Sequence, residues 1–194
     1  MRRVPERLAT PVDLDDLLDL LEEGVAYDDA EAVDLLAHGL QCATALATLA
    51  PADLELQVAG LIHDAGHIVY ARAQGHTAED EDAHHAAVGA AIAAPLFGDR
   101  VAFLVRHHVD AKRYLVSTDP AYAASLSERS LESLMAQGGA LTPGELEMLN
   151  RSHGLDALVM LRGADDAAKD PHANVAGLVA WLPVLRTVAR HLDD

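Results

Sequence analysis

Apolar residues recur at helical spacing along most of the chain, and the breaks between these stretches hold proline, glycine and short polar clusters. This pattern predicts a first helix near Leu14 to Glu23, a second from about Ala30 to Leu49 that ends before Pro51, and a third from about Ala52 into His63. A polar, charged loop is expected around Gly75 to Glu81, followed by a helix near Ala83 to Leu96. Further helices fit Val101 to His108, Ser127 to Gln137, Pro143 to Asn150, Leu155 to Ala168 and Gly177 to Leu192. Thr142-Pro143-Gly144-Glu145 has the form of a capping box with proline at the first helical position, and Gly138-Gly139 stops the helix before it. Alanine and leucine dominate the periodic stretches and β-branched runs of strand length are missing, so the expected fold class is all-α, a helical bundle.

Composition narrows the partners. With 194 residues and 51% hydrophobic content the chain can bury one sizeable core, and residues 1–194 are read as a single domain. A formal charge of −17 argues against nucleic acid as a partner, because such binding rests on neutralising phosphates. The same charge repels anionic ligands in bulk, so an anion site would need its own local cations. The single cysteine, Cys42, has no intramolecular disulfide partner, and the opening Met1-Arg2-Arg3-Val4-Pro5-Glu6 lacks a signal-like apolar stretch. The longest nearly polar-free run, Ala86 to Gly98, is too short to span a membrane. A cytoplasmic protein without a membrane segment is expected, as a monomer or small homo-oligomer.

Eleven histidines stand against 14 lysines and arginines, and most lie inside apolar helical segments. His38 has Leu35 three residues before it and Cys42 four after, which aims its ring at the core. On its own such a residue is ordinarily a hydrogen-bonded core histidine. His63-Asp64 follows Val58-Ala59-Gly60-Leu61-Ile62, delivering an imidazole and a carboxylate to the inner end of a buried helix. A buried carboxylate requires a cation or dense hydrogen bonding, although a helix-end aspartate open to water satisfies the same sequence. His84-His85 and His107-His108 each offer one inward ring, and Asp165-Asp166 adds a carboxylate from a late helix. Imidazoles and carboxylates from several helices, without a cysteine ligand, suit iron, manganese or zinc.

These residues resemble the HD domain superfamily, whose pattern is H…HD…D, and specifically its branch with two extra histidines. The strings His38-Gly39-Leu40-Gln41, His63-Asp64-Ala65-Gly66-His67, His85-Ala86-Ala87-Val88-Gly89, His108-Val109-Asp110-Ala111-Lys112-Arg113-Tyr114-Leu115 and Arg162-Gly163-Ala164-Asp165-Asp166 are similar to those of the mixed-valent diiron oxygenases. That group includes myo-inositol oxygenase and the oxygenases that cleave carbon–phosphorus bonds, and the overlap runs from about Glu31 to Pro171. The resemblance implies an HD-domain bundle with a dinuclear iron centre, Fe(II)/Fe(III), and O2 as co-substrate. It implies that His38, His63 and Asp165 bind one iron, that His85 and His108 bind the other, and that Asp64 bridges them. It also makes Glu31 a carboxylate that occupies an iron position until substrate displaces it, with Tyr27 as its companion.

Helical spacing sets Lys112 one turn beyond His108, Arg162 one turn before Asp165 and Lys169 one turn after it. Helix-borne lysines and arginines are ordinarily surface charges, but here they stack beside proposed ligands. By resemblance Lys112 and Arg162 grip a phosphonate, helped by Ser130 and Ser133, while His67, Gln41, Lys169 and Tyr27 lie behind the ligands. The implied reaction is O2-dependent cleavage of the C–P bond of a 1-hydroxyalkylphosphonate, giving phosphate and a carboxylic acid. Three alternatives share the same residues: a metal-dependent HD phosphohydrolase acting on a nucleotide or phosphate monoester, a cyclitol oxygenase, and a metal-free signalling or scaffold domain.

Overall fold

The computed structural model describes residues 11, 13–27, 32–73 and 78–190. Every regular element among them is a helix. The early helices are fixed at their starts by aspartate side chains that accept otherwise orphaned amide protons. Asp13 accepts from Asp16 N at 2.9 Å ahead of α1 (Leu14–Glu23), Asp34 from Ala37 N at 2.8 Å ahead of α2 (Leu35–Leu49), and Asp53 from Leu56 N at 3.1 Å ahead of α3 (Leu54–Ile62). The Asp34 cap therefore starts α2 five residues later than the hydrophobic pattern predicts. Glu31 lies outside the described residues.

After a break at His63-Asp64 the chain continues as α4 (Ala65–Arg72), then α5 (Ala78–Phe97), α6 (Asp99–Thr118), α7 (Pro120–Ser125) and α8 (Glu128–Ala136). The bundle is completed by α9 (Pro143–Asn150), α10 (Leu155–Ala167) and α11 (Leu182–Val188). The predicted capping box at Thr142 and Glu145 forms at the head of α9. Five expectations need correction. Helix α4 is not evident from periodicity because Ala65 to Tyr70 are buried all round, which leaves no polar face to mark a stripe. Helix α7, six residues opened by Asp119 and Pro120, is too short for its pattern to register. The acidic stretch read as loop up to Glu81 is the first turn of α5, where negative charge complements the helix dipole. Finally, α6 continues ten residues past His108, and the last predicted helix divides into a 3-10 turn at Leu178–Trp181 and α11.

Helices α5 and α6 pack along one another, with α2 against α3 and α10 laid across α2 and α6. Leu20, Leu46, Leu56, Ile62, Ile68, Ile92, Leu104, Leu158 and Leu161 are fully buried among them, each side chain stabilising the fold by about 1.5 to 3 kcal/mol. Two glycines set the closest approaches. A Cβ at Gly39 would stand 2.5 Å from the carbonyl oxygen of Leu61, so α2 and α3 touch backbone to side there. A Cβ at Gly66 would stand 2.0 Å from the carbonyl oxygen of His85, joining α4 to α5 in the same way. Each contact is next to a histidine of interest.

Candidate metal centre

Six side chains from four helices and one interhelical break converge at the middle of the bundle. His38 comes from α2, His63 and Asp64 from the α3–α4 break, His85 from α5, His108 from α6 and Asp165 from α10. All are buried except Asp64, which is partly open to the cavity above it.

The imidazoles are fixed from behind. Nδ1–H of His38 donates to the carbonyl of Ala168 at 2.9 Å, that of His63 to Gly60 at 2.9 Å, that of His108 to Val105 at 2.7 Å, and that of His85 to Asp82 at 3.1 Å. A main-chain carbonyl can only accept, so each ring carries a proton on Nδ1 and turns Nε2, the lone-pair nitrogen of the neutral ring, inward. Those nitrogens face each other: His38 Nε2 is 3.2 Å from His63 Nε2, and His85 Nε2 is 3.2 Å from His108 Nε2. Two acceptors at that distance repel unless a proton or a cation lies between them.

Asp64 lies between the two pairs and gives one oxygen to each. Its Oδ2 is 3.4 Å from His63 Nε2 and 3.6 Å from His38 Nε2, while Oδ1 is 3.5 Å from His108 Nε2 and 3.7 Å from His85 Nε2. Asp165 Oδ1 joins the first pair only, at 3.2 Å from His38 and 3.8 Å from His63. Without a cation the cluster holds a proton instead. Burial pulls His63 down, but the carboxylates of Asp64 and Asp165 win and raise it to about 9. Burial keeps His85 and His108 low, with neighbouring imidazoles adding to the effect. Against the pull of burial, Arg162 with His38 and His63 holds Asp165 well below the usual carboxylate range, and the facing histidines do the same for Asp64. Ligand atoms close enough together to hold a cation fall into two groups, His38 with His63 and Asp165, and Asp64 with His67 and His85, and imidazole with carboxylate suits divalent or trivalent cations.

Above the cluster is a cavity of about 60 Å³. Lys112, Arg162, Lys169, Ser130 and Ser133 line it together with His38, Asp64, His67, His85, His108 and Asp165. Lys112 is buried, donates from Nζ to Ser133 Oγ at 2.7 Å, and is pushed down to about 8 by burial and by the Arg162 charge. Arg162 is held on three sides: Nη1 donates to Asp165 Oδ2 at 2.7 Å, Nη2 donates to Asp166, and Nε donates to the Tyr122 hydroxyl at 3.0 Å. The structure thus turns Asp166 away from the imidazoles and toward Arg162 and Tyr122.

The neighbouring histidines also divide. His84 is exposed, and His107 pairs with Asp110 at 2.7 Å, partly buried rather than among the converging rings. His67 lines the cavity, stacks on His85 with ring centroids 3.9 Å apart, and donates from Nδ1 to Glu81 Oε1 at 2.7 Å. Gln41 is not in the cavity. Its side chain donates to the Asp170 carbonyl at 3.0 Å and accepts from Asp170 N at 3.1 Å, clamping the segment after α10 that brings the Ala168 carbonyl to His38. Lys169 follows the end of α10 rather than extending that helix, yet it reaches the cavity. Tyr27 packs against the hydrophobic core, and the cavity lining does not include it.

Sequence reasoning missed Asp82, Arg129, Gln137 and Tyr122 around the site, and it named Asp166 only as an alternative to Asp165, not as a partner of Arg162. Asp82 alone carried a signal, standing three residues before His85 on one helix.

The family model for the HD domain matches residues 35–137. A curated relative, the [1-hydroxy-2-(trimethylamino)ethyl]phosphonate dioxygenase (glycine-betaine-forming) of Leisingera caerulea, is 32% identical over 163 residues, covering 84% of this chain and 83% of that protein. The hydroxymethylphosphonate dioxygenase of Gimesia maris is 38% identical over 178 residues, covering 90% of this chain and 87% of that protein. No helix among the described residues is long and apolar enough to cross a membrane. Its HD match and its likeness to two dioxygenases along most of their length agree with the geometry, and the chain belongs to the HD domain family, in its oxygenase branch.

Proposed function

We propose that the protein binds two iron ions, one at His38, His63 and Asp165, the other at His85 and His108, with Asp64 shared between them. The reaction proposed is oxidative cleavage of the C–P bond of a 1-hydroxyalkylphosphonate by O2. One observation carries this reading: a carboxylate shared between two imidazole pairs forms the floor of a cavity whose wall holds two buried cations, Lys112 and Arg162. The names of the two curated relatives supply the substrate class. Residues 1–194 are proposed to act as one HD-type domain, since α10 lies beyond the family-matched segment and still delivers Arg162 and Asp165 to the same cavity.

The overall reaction balances without further reagents: HO–CHR–PO3²⁻ and O2 give RCOO⁻, HPO4²⁻ and a proton. Bound metal supplies the redox capacity that lets dioxygen react with an organic substrate. The chain's own residues do the rest. Lys112 and Arg162 neutralise the phosphonate, Lys112 as a point charge and Arg162 through N–H groups still unused by its carboxylates. Asp166 and Tyr122 fix the guanidinium plane before substrate arrives, which lowers the ordering cost of binding. Ser133, already bonded to Lys112, and Ser130 on the same face of α8 add hydroxyls for phosphonate oxygens. Burial of the imidazoles and of Asp165 leaves Asp64 as the one partly exposed member of the cluster.

The test is metal analysis together with oxygen uptake and phosphate release on 1-hydroxyphosphonates. About two irons per chain and phosphate released only when O2 is consumed are expected. Phosphate released anaerobically from nucleotides or monoesters, with no O2 uptake on any phosphonate, overturns the reading in favour of a hydrolase.

A further inference from the structure

The cavity above the cluster is small. Taking about 10 to 15 Å³ for each water-sized sphere, its 60 Å³ holds only about four to six of them. Hydroxymethylphosphonate, with six non-hydrogen atoms, approaches that limit, and a 1-hydroxyphosphonate carrying a trimethylamino group exceeds it. Space for a longer substrate exists nearby. A groove of about 470 Å³, lined by Ala78, Glu132, Met135 and Ala136, runs between the start of α5 and α8. Asp82 and Arg129 line both the cavity and the groove, so they form the wall between them.

That wall is built rather than incidental. Asp82 on α5 is buried, and its two oxygens take both Nη atoms of Arg129 on α8, at 2.7 and 2.8 Å. Paired parallel hydrogen bonds make the two side chains one flat, fixed plate. The same residue's main-chain carbonyl accepts Nδ1–H of His85, so the plate stands on the helical turn that orients a candidate ligand. Arg129 cannot swing away without leaving the Asp82 carboxylate buried and without its guanidinium.

We infer that the Asp82–Arg129 pair is the specificity determinant for substituent size, closing the groove off from the reacting centre and restricting the enzyme to 1-hydroxyphosphonates with a small substituent or none. This inference rests on the phosphonate reading above. It assigns to the pair a role in selection, not in the chemical step: the plate fills the space where the substituent of a longer substrate would lie.

Two double variants separate size from charge. Asp82→Ala with Arg129→Ala removes both charges together and opens the wall. Asp82→Asn with Arg129→Met removes the charges but keeps the space filled. Each is compared with the wild type in kcat/KM for hydroxymethylphosphonate and for 1-hydroxy-2-(trimethylamino)ethylphosphonate, and in anaerobic calorimetric binding of the same two compounds. Metal content and melting temperature establish that each variant is folded. The wild type should prefer the smaller compound, the opened variant should lose roughly tenfold or more of that preference in both turnover and binding, and the filled variant should keep it to within about threefold. An opened, metal-loaded variant with the wild-type preference overturns the inference while leaving the phosphonate reading intact, as does a wild type that already prefers the larger compound. If the opened variant does not fold, the single variant Arg129→Lys, which keeps the charge but not the paired geometry, must shift the anaerobic preference, and an unchanged preference there also overturns it. A wild type that binds and cleaves neither compound removes the phosphonate reading itself.

Discussion

Replacing Gly66 by alanine should damage one half of the metal centre and spare the other. The added Cβ would stand 2.0 Å from the carbonyl oxygen of His85, whereas ordinary contact begins at 3.4 Å, so with α4 held at the Asp64 junction α5 must retreat from it by roughly 1.4 Å. Both colliding groups are anchored to main chain, so no side-chain rotation relieves the clash. Overpacking of this kind costs about 1 to 3 kcal/mol, and a backbone obstacle puts it near about 3. For a chain of this size that corresponds to a fall in melting temperature of about 6 to 12 °C. His85 moves with its carbonyl, and a ligand displaced by more than about 0.5 Å no longer holds productive geometry. The pair formed by His85 and His108, now 3.2 Å apart at Nε2, would open, while His38, His63 and Asp165 on α2, α3 and α10 keep their places. Iron content should therefore fall from about two to about one per chain. Gly163→Ala is the control, since a Cβ there meets nothing within 4 Å, and it should be neutral or stabilising by up to about 1 kcal/mol. Thermal melts and elemental analysis of the two variants decide the matter. A Gly66→Ala protein with wild-type melting temperature and metal content would refute the packing argument.

Asp64→Asn, close to isosteric, should lose metal from both positions and lower the thermal stability of the metal-loaded protein, read by elemental analysis and by melting with and without added iron. Lys112→Ala should keep its metals while kcat/KM on a hydroxyphosphonate drops roughly ten- to a hundredfold, the loss of a charge-assisted hydrogen bond. Arg162→Ala should do worse and also reduce metal content, because it leaves the Asp165 carboxylate buried without its guanidinium; equal effects of the two substitutions on metal content would contradict this. In the metal-free protein, His63 rises from 6.5 to about 9, so its stabilising contribution is complete below pH 6.5 and is lost as pH rises through about 9. A melting temperature of the chelated protein that climbs across that window would show the sign to be wrong.

How far the sequence can be read depends on whether a feature is local. The aspartate caps of α1 and α3, the Thr142–Glu145 box and the apolar periodicity all act within one turn, and the helices they mark lie close to where the pattern puts them. Helix α4 defeats the pattern because burial on every side removes the contrast between faces, and the acidic start of α5 resembles a loop until the helix dipole is considered. The convergence of His38, His63, Asp64, His85, His108 and Asp165 was legible because each lies in a recognisable string. What surrounds them was not. Arg129 is 47 residues from Asp82 and Arg162 is 40 from Tyr122, and no local rule links either pair. Only the packing of α8 on α5 and of α7 near α10 brings them together.

The break between α3 and α4 sits at the residue that serves both imidazole pairs. For anyone retuning such a protein, it divides the molecule into common and private territory. A substitution that twists this junction alters the surroundings of both imidazole pairs in one stroke, and the two changes cannot be separated afterwards. Helices α10 and α6 are different: Asp165 faces only one pair, and His108 belongs only to the other. Independent adjustment of the two halves is possible from those outer helices, and from the junction it is not.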